Sequence, residues 1–156
     1  MTPCLLSLLL APAAMQANAP TTTPPSSAGP ADTVHALFAD HLKHDMGFTK
    51  ASVARKAKWL SPDFLRQLNA ELDRPGNPDE APNINGDPFT DSQEYPKRFV
   101  VGKAEIRGVA TRIPVTFTGN GRRRTVAVKL RNTPDGWRVD DLVYEDGKTL
   151  RGMLGK

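Results

Sequence analysis

The chain has 156 residues, 38% of them hydrophobic and 24% charged, which leaves room for one ordinary soluble domain and little more. Twelve glycines without a triplet period, a single cysteine and enough apolar residues to support a core exclude a collagen, a disulfide-stapled miniprotein and a fully disordered chain. The formal net charge of +4 is unevenly divided: residues 30–96 carry 7 Lys plus Arg against 11 Asp plus Glu, and residues 97–156 carry 14 against 6.

Residues 1–17 contain no charged side chain, and Leu5, Leu6, Leu8, Leu9 and Leu10 form an apolar run with a small-residue exit, the pattern of a secretory signal cleaved after Ala17. The run is too short for a bilayer core of about 30 Å, which needs roughly 20 apolar residues, so no permanent membrane anchor is expected and the location is periplasmic or secreted. Cys4 precedes the run instead of ending it, which disfavours lipidation and leaves a mature chain without disulfides, thiolate metal sites or a cysteine nucleophile. Residues 18–30, with four prolines among Thr, Ser and Ala, read as an extended tether, and residues 31–156 as one α+β domain.

Within that domain, Asp32 followed by Val34, Leu37, Phe38, His41 and Leu42 on one face predicts a helix over 33–44. A second starts at Thr49 or Ser52 and runs to Trp59 and Leu60. Ser61-Pro62 supplies a cap and a first-turn proline for a third, with Phe64, Leu65, Leu68 and Leu72 as its buried stripe and Pro75-Gly76 as its stop. Residues 75–96 read as a long loop in which Thr90-Asp91-Ser92-Gln93 fits a capping box and predicts a short helical turn. The period then changes to two. Val109, Thr111, Ile113, Val115 and Phe117 alternate with Ala110, Arg112, Pro114 and Thr116, and Val126, Val128 and Leu130 with Ala127 and Lys129, around an Asn120-Gly121 hairpin turn. With Phe99–Ile106 before and Trp137–Tyr144 after, N-terminal helices pack on a curved four-stranded antiparallel sheet, closed by a short C-terminal helix using Leu150, Met153 and Leu154. Pro114 cannot donate to a ladder, which predicts an edge or a bulge there.

The segments Gly86-Asp87-Pro88-Phe89-Thr90-Asp91-Ser92-Gln93-Glu94 and Gly136-Trp137-Arg138-Val139-Asp140-Asp141-Leu142-Val143-Tyr144 resemble the acidic segment and the terminal strand of a bacterial family of exported proteins and lipoproteins of unknown function. That family is thought to share the cone-shaped fold of the nuclear transport factor two superfamily. The resemblance implies helices and a curved sheet around a concave pocket, which relatives use for isomerisation, ligand binding or dimerisation. It implies no single activity, and the lipoprotein Cys of that family has no counterpart here.

Strict alternation puts Trp137, Val139, Asp141 and Val143 on one face of the last strand and Arg138, Asp140, Leu142 and Tyr144 on the other. An Asp between two valines on a buried face is costly unless bonded and is pushed toward its neutral form, which makes Asp141 the first acid/base candidate, with Tyr144 or His41 assisting. Asp141, Trp137 and Tyr144 are the candidate ligand-binding set. The plainer account has Asp141 bonding a loop or helix start, or turned out by a bulge; Asp140 is expected to pair with Arg131 or Arg124. Asp87, Asp91 and Glu94 offer oxygen ligands for calcium or magnesium, and His41 and His44 offer nitrogens for zinc. Neither spacing matches a known metal motif, and capping and turn roles account for the acids, so no metal and no cofactor are expected. Arg122, Arg123 and Arg124 form a patch for anionic lipid, glycan or an acidic partner, or else a solvated turn that blunts aggregation. A nucleic-acid partner is not expected, since few aromatics interleave the basic residues.

The leading expectation is an exported, non-enzymatic domain that binds a small ligand or an envelope protein through the concave face of its sheet. Two alternatives accompany it: a small isomerase, dehydratase or hydrolase using Asp141, and a structural envelope component that associates with its own copies, for instance as a homodimer.

Overall fold

The computed structural model describes residues 28–44, 46–76 and 84–155. The signal at 1–17 and all of the tether before residue 28 lie outside the described residues. Helix α1, Pro30–Lys43, begins three residues earlier than the pattern predicts. Pro30 occupies the first turn, where its missing N–H costs nothing, and the Asp32 carboxylate accepts from the Gly29 amide at 2.9 Å, so Asp32 sits inside the helix it caps. Helix α2, Lys50–Lys56, is capped by Thr49, whose hydroxyl accepts from the Ser52 amide, and passes into a 3₁₀ turn over Ala57–Trp59. Helix α3, Pro62–Asp73, is capped by Ser61 and buries Phe64 and Leu68, while Leu65 and Leu72 lie at the margin of the core.

The sheet comprises β1 (Arg98–Val101), β2 (Glu105–Arg107), β3 (Ala110–Gly119), β4 (Arg122–Thr133) and β5 (Gly136–Val143), all antiparallel, and α4 (Leu150–Met153) follows. The meander is the predicted one, except that its first strand is broken in two: β1 and β2 both pair with β3, on the same side of it. The break lies opposite Pro114, which has no N–H to give on that side; the chain bulges through Gly102–Ala104, and the Gly102 amide donates to the Pro114 carbonyl at 2.7 Å. Asn120 and Gly121 adopt φ of 48° and 73°, the paired positive values of a tight right-twisted hairpin.

Helices α1, α3 and α4 cover one face of the sheet. The space between them and the strands is packed with side chains, among them the fully buried Phe38, Phe64, Leu68, Phe89, Ile113 and Leu142. Grooves bordered by described residues lie around the 84–94 loop and on the opposite face of the sheet. The predicted helical turn at 90–93 does not form. Asp91 takes φ of 52°, Asp87 and Ser92 bond each other's backbone, and the segment closes as a tight turn. Gly86 permits that closure, since a Cβ there would stand 2.7 Å from the Ser92 carbonyl oxygen. No helix among the described residues is long and apolar enough to cross a membrane.

Candidate functional site

A second irregularity relocates the leading candidate. The ladder pairs Lys129 with Asp141 but Leu130 with Val139, so Asp140 is an extra residue, and the alternation of β5 changes phase there. Val139 and Leu142, not Val139 and Asp141, face the core together. Asp141 lies across from Lys129 on the helix-free face, and its shared-face assignment with Trp137 and Val139 is corrected accordingly. Its carboxylate accepts from the amides of Leu142 (2.9 Å) and Arg151 (3.1 Å), fixing the first turn of α4, with the Lys129 ammonium 3.6 Å away. Trp137 is half-buried at the other end of the eight-residue β5, so the structure does not gather Trp137, Asp141 and Tyr144 into one pocket. The Tyr144 hydroxyl donates to the Pro88 carbonyl at 3.0 Å, and burial together with surrounding carboxylates holds its phenol far above the ordinary value.

Asp140 occupies the bulge as an anchor. It accepts from the Ser61 hydroxyl (2.6 Å), the Arg151 guanidinium (2.7 Å) and Arg131 (3.3 Å), the last being the partner expected from the sequence. Partial burial works against the charge, yet the Ser61 hydroxyl and the two guanidinium groups hold its carboxyl below the usual range.

The structure brings together two residues that the sequence leaves in separate lists. His41 Nε2 and Asp87 Oδ2 stand 2.7 Å apart, both side chains fully buried. Asp87 also accepts from the Thr90 hydroxyl (2.6 Å) and the Phe89 amide (3.2 Å). Beside them Lys56, wholly enclosed, donates to the Ser52 hydroxyl (2.6 Å) and carbonyl (3.0 Å) and lies 4.8 Å from the centre of the Phe89 ring. Burial, aided by Arg55 and opposed by Asp87 and Asp40, pulls the Lys56 ammonium down to about 8. A His–Asp pair with a lysine of lowered pKa has the ingredients of acid/base chemistry, but none of these groups meets solvent, and His41 Nδ1 is buried without a partner. The cluster fastens the 84–94 loop to α1 and α2. Lys56 escaped sequence reasoning because a cation at helical spacing between Val53 and Leu60 looks like a surface residue; that interruption of an apolar face is the only signal it gives.

The other candidates disperse. Asp91 lies 4.0 Å from Arg124, with burial raising its carboxyl against that guanidinium, and Glu94 accepts from Asn120 at 3.1 Å. With Asp87 committed to His41, the three acids do not converge, and no cluster of three or more His, Cys, Asp or Glu among the described residues could hold a metal ion. His44 is exposed and turned onto Asp40 at the end of α1. Arg122 and Arg123 are exposed at the hairpin.

What remains open is the helix-free face of the sheet. The register sets Glu105, Arg112, Lys129 and Asp141 side by side across it, with Arg107, Ala110 and Arg131 as the next row and Pro114, Ala127 and Val143 as a low apolar strip on the other side. Two adjoining grooves follow these rows, one of about 540 Å³ over Ala110 and one of about 360 Å³ over the strip.

No family model matches the chain, and no curated protein matches it. Two solved structures are similar in fold: crystal structures of the type VI effector-immunity complex Tae3-Tai3 from Ralstonia pickettii, in selenomethionine and native forms. A chain of the first is 17% identical, with a TM-score of 0.57 over 75% of this chain and 97% of its own length. The second is 18% identical, with the same TM-score over 76% and 96%. At this identity the likeness is one of fold.

Proposed function

We propose that this chain is an exported, non-enzymatic domain that works by binding a protein partner, as the components of an effector-immunity complex bind one another. The observation that carries the reading is the contrast between sealed and open chemistry. A histidine–carboxylate pair with a neighbouring lysine is enclosed in the core, whereas the uncovered sheet face presents exposed Glu105, Arg107, Arg112, Lys129 and Arg131, an array suited to a macromolecular surface. The fold shared with chains taken from a two-protein complex supports it. The apolar leader and small-residue exit at 1–17 support delivery across the inner membrane.

Native mass spectrometry of the protein purified from its own envelope tests this. The expected species starts at Asn18 and carries one different polypeptide in fixed stoichiometry. A bare monomer at low and physiological salt, or a species made only of copies of this chain, overturns the binding reading; an intact Met1 terminus overturns export.

A further inference from the structure

Resting on that protein-binding reading, we infer that the 540 Å³ groove on the helix-free face is the docking site, and that it receives an acidic segment of the partner protein. Arg107, Arg112, Lys129 and Arg131 rim the groove and outnumber its two acids, Glu105 and Asp140, while Val109 and Ala110 form its apolar part. Ala110 lies between Arg107 and Arg131 in the cross-strand row, so a short side chain leaves the backbone accessible between two guanidinium groups. That arrangement fits carboxylates flanking a small apolar side chain, since a planar guanidinium grips a carboxylate at two points.

The charge of this face is only partly consumed within the molecule. The sheet half carries 14 Lys plus Arg against 6 acids and the helical half 7 against 11, so the helical half could offset only part of the sheet half's surplus if the two met. Among the described residues the only sheet-half cation that reaches a helical-half carboxylate is Arg124, at 4.0 Å from Asp91. Lys129 and Arg131 are answered locally by Asp141 and Asp140, while Arg107 and Arg112, both exposed, make no ion pair there. Val109 adds an apolar surface that is 70% exposed at the rim. An uncovered apolar spot ringed by four cations, two of them without an ion-pair partner among the described residues, is complementary to an acidic protein surface, and charge of this kind steers and selects partners.

The test places a photo-crosslinking residue at Ala110, or at Ala70 on the exposed side of α3, in the full-length chain expressed in its own host. The adducts are identified by mass spectrometry, and the identified partner is purified for titration. The proposal expects Ala110 to capture one exported protein through an Asp- or Glu-bearing segment. It expects Arg107→Glu/Arg112→Glu to weaken that purified pair roughly tenfold or more, with an unchanged melting temperature, and a matching acid-to-lysine change in the partner to recover the loss. Capture from Ala70 alone overturns the groove and leaves the protein-binding reading standing; no capture from either position overturns both. An adduct between two copies of this chain, or equal loss of binding to anionic phospholipid vesicles with no protein adduct, assigns the face to another occupant and overturns the proposal.

Discussion

Lys56 Nζ has no contact with solvent, and its ammonium is tolerated only because the Ser52 hydroxyl and carbonyl accept from it and Asp87 and Asp40 lie nearby. The folded chain gives up this proton near pH 8, whereas the unfolded chain keeps it to about 10.5. Between those values the unfolded state holds more protons, so stability rises with pH, on the order of 3 kcal/mol over the full shift. Tyr144 limits the gain. Its buried phenol keeps its proton while the unfolded one ionises near 10, so stability falls again above that pH. Urea unfolding from pH 7 to 11 should therefore peak near pH 10, and Lys56→Met should flatten the rising limb; a limb unchanged by that substitution would show that another group causes it. For the neighbouring pair, His41→Ala leaves the Asp87 carboxylate buried with one fewer partner and should cost about 3–5 kcal/mol, read as a lower urea midpoint at constant slope. None of this was legible in the sequence. His41 and Asp87 are 46 positions apart, and only the fold of the 84–94 loop makes them neighbours.

The elements were mostly legible, because their caps and periods are local. Ser61-Pro62, Asn120-Gly121 and the alternation in β3 and β4 each announce themselves within a few residues. Pro114 announced a bulge, and the bulge appears on the neighbouring strand, at Gly102. A Cβ there would meet Pro114 Cγ at 2.8 Å and its carbonyl at 3.0 Å, so Gly102→Ala should destabilise by about 1–3 kcal/mol in thermal or urea melts. The bulge at Asp140 had no such signal. Nothing in Val139-Asp140-Asp141-Leu142 distinguishes an extra residue from a regular one, and a one-residue slip reverses every side chain beyond it; Asp141 was therefore read onto the wrong face. What fixes the slip is distant: Ser61 from the start of α3 and Arg151 from α4 both hold Asp140. Asp140→Ala should cost about 2 kcal/mol and loosen α4 first, visible as faster amide exchange at Arg151 than at Val128.

At the scale of the whole molecule, charge and burial part company. The apolar side of the sheet is spent on the helices, and the cationic surplus of the sheet half stays on the surface. Arg122 and Arg123 belong to that surplus without supporting the fold: both are exposed and make no ion pair among the described residues, so Arg122→Glu/Arg123→Glu should shift stability by no more than about 0.5 kcal/mol per site in a thermal melt. The sequence by itself determined the order of helices before strands, the caps, the hairpin and the sign of each half's charge, because these follow from spacing along a few neighbouring residues. Tertiary structure alone decided which carboxylate meets His41 in the core, which face of the last strand is which, and which side of the sheet is left open. Those outcomes depend on one extra residue in a ladder and on partners dozens of positions away, and no local pattern encodes either.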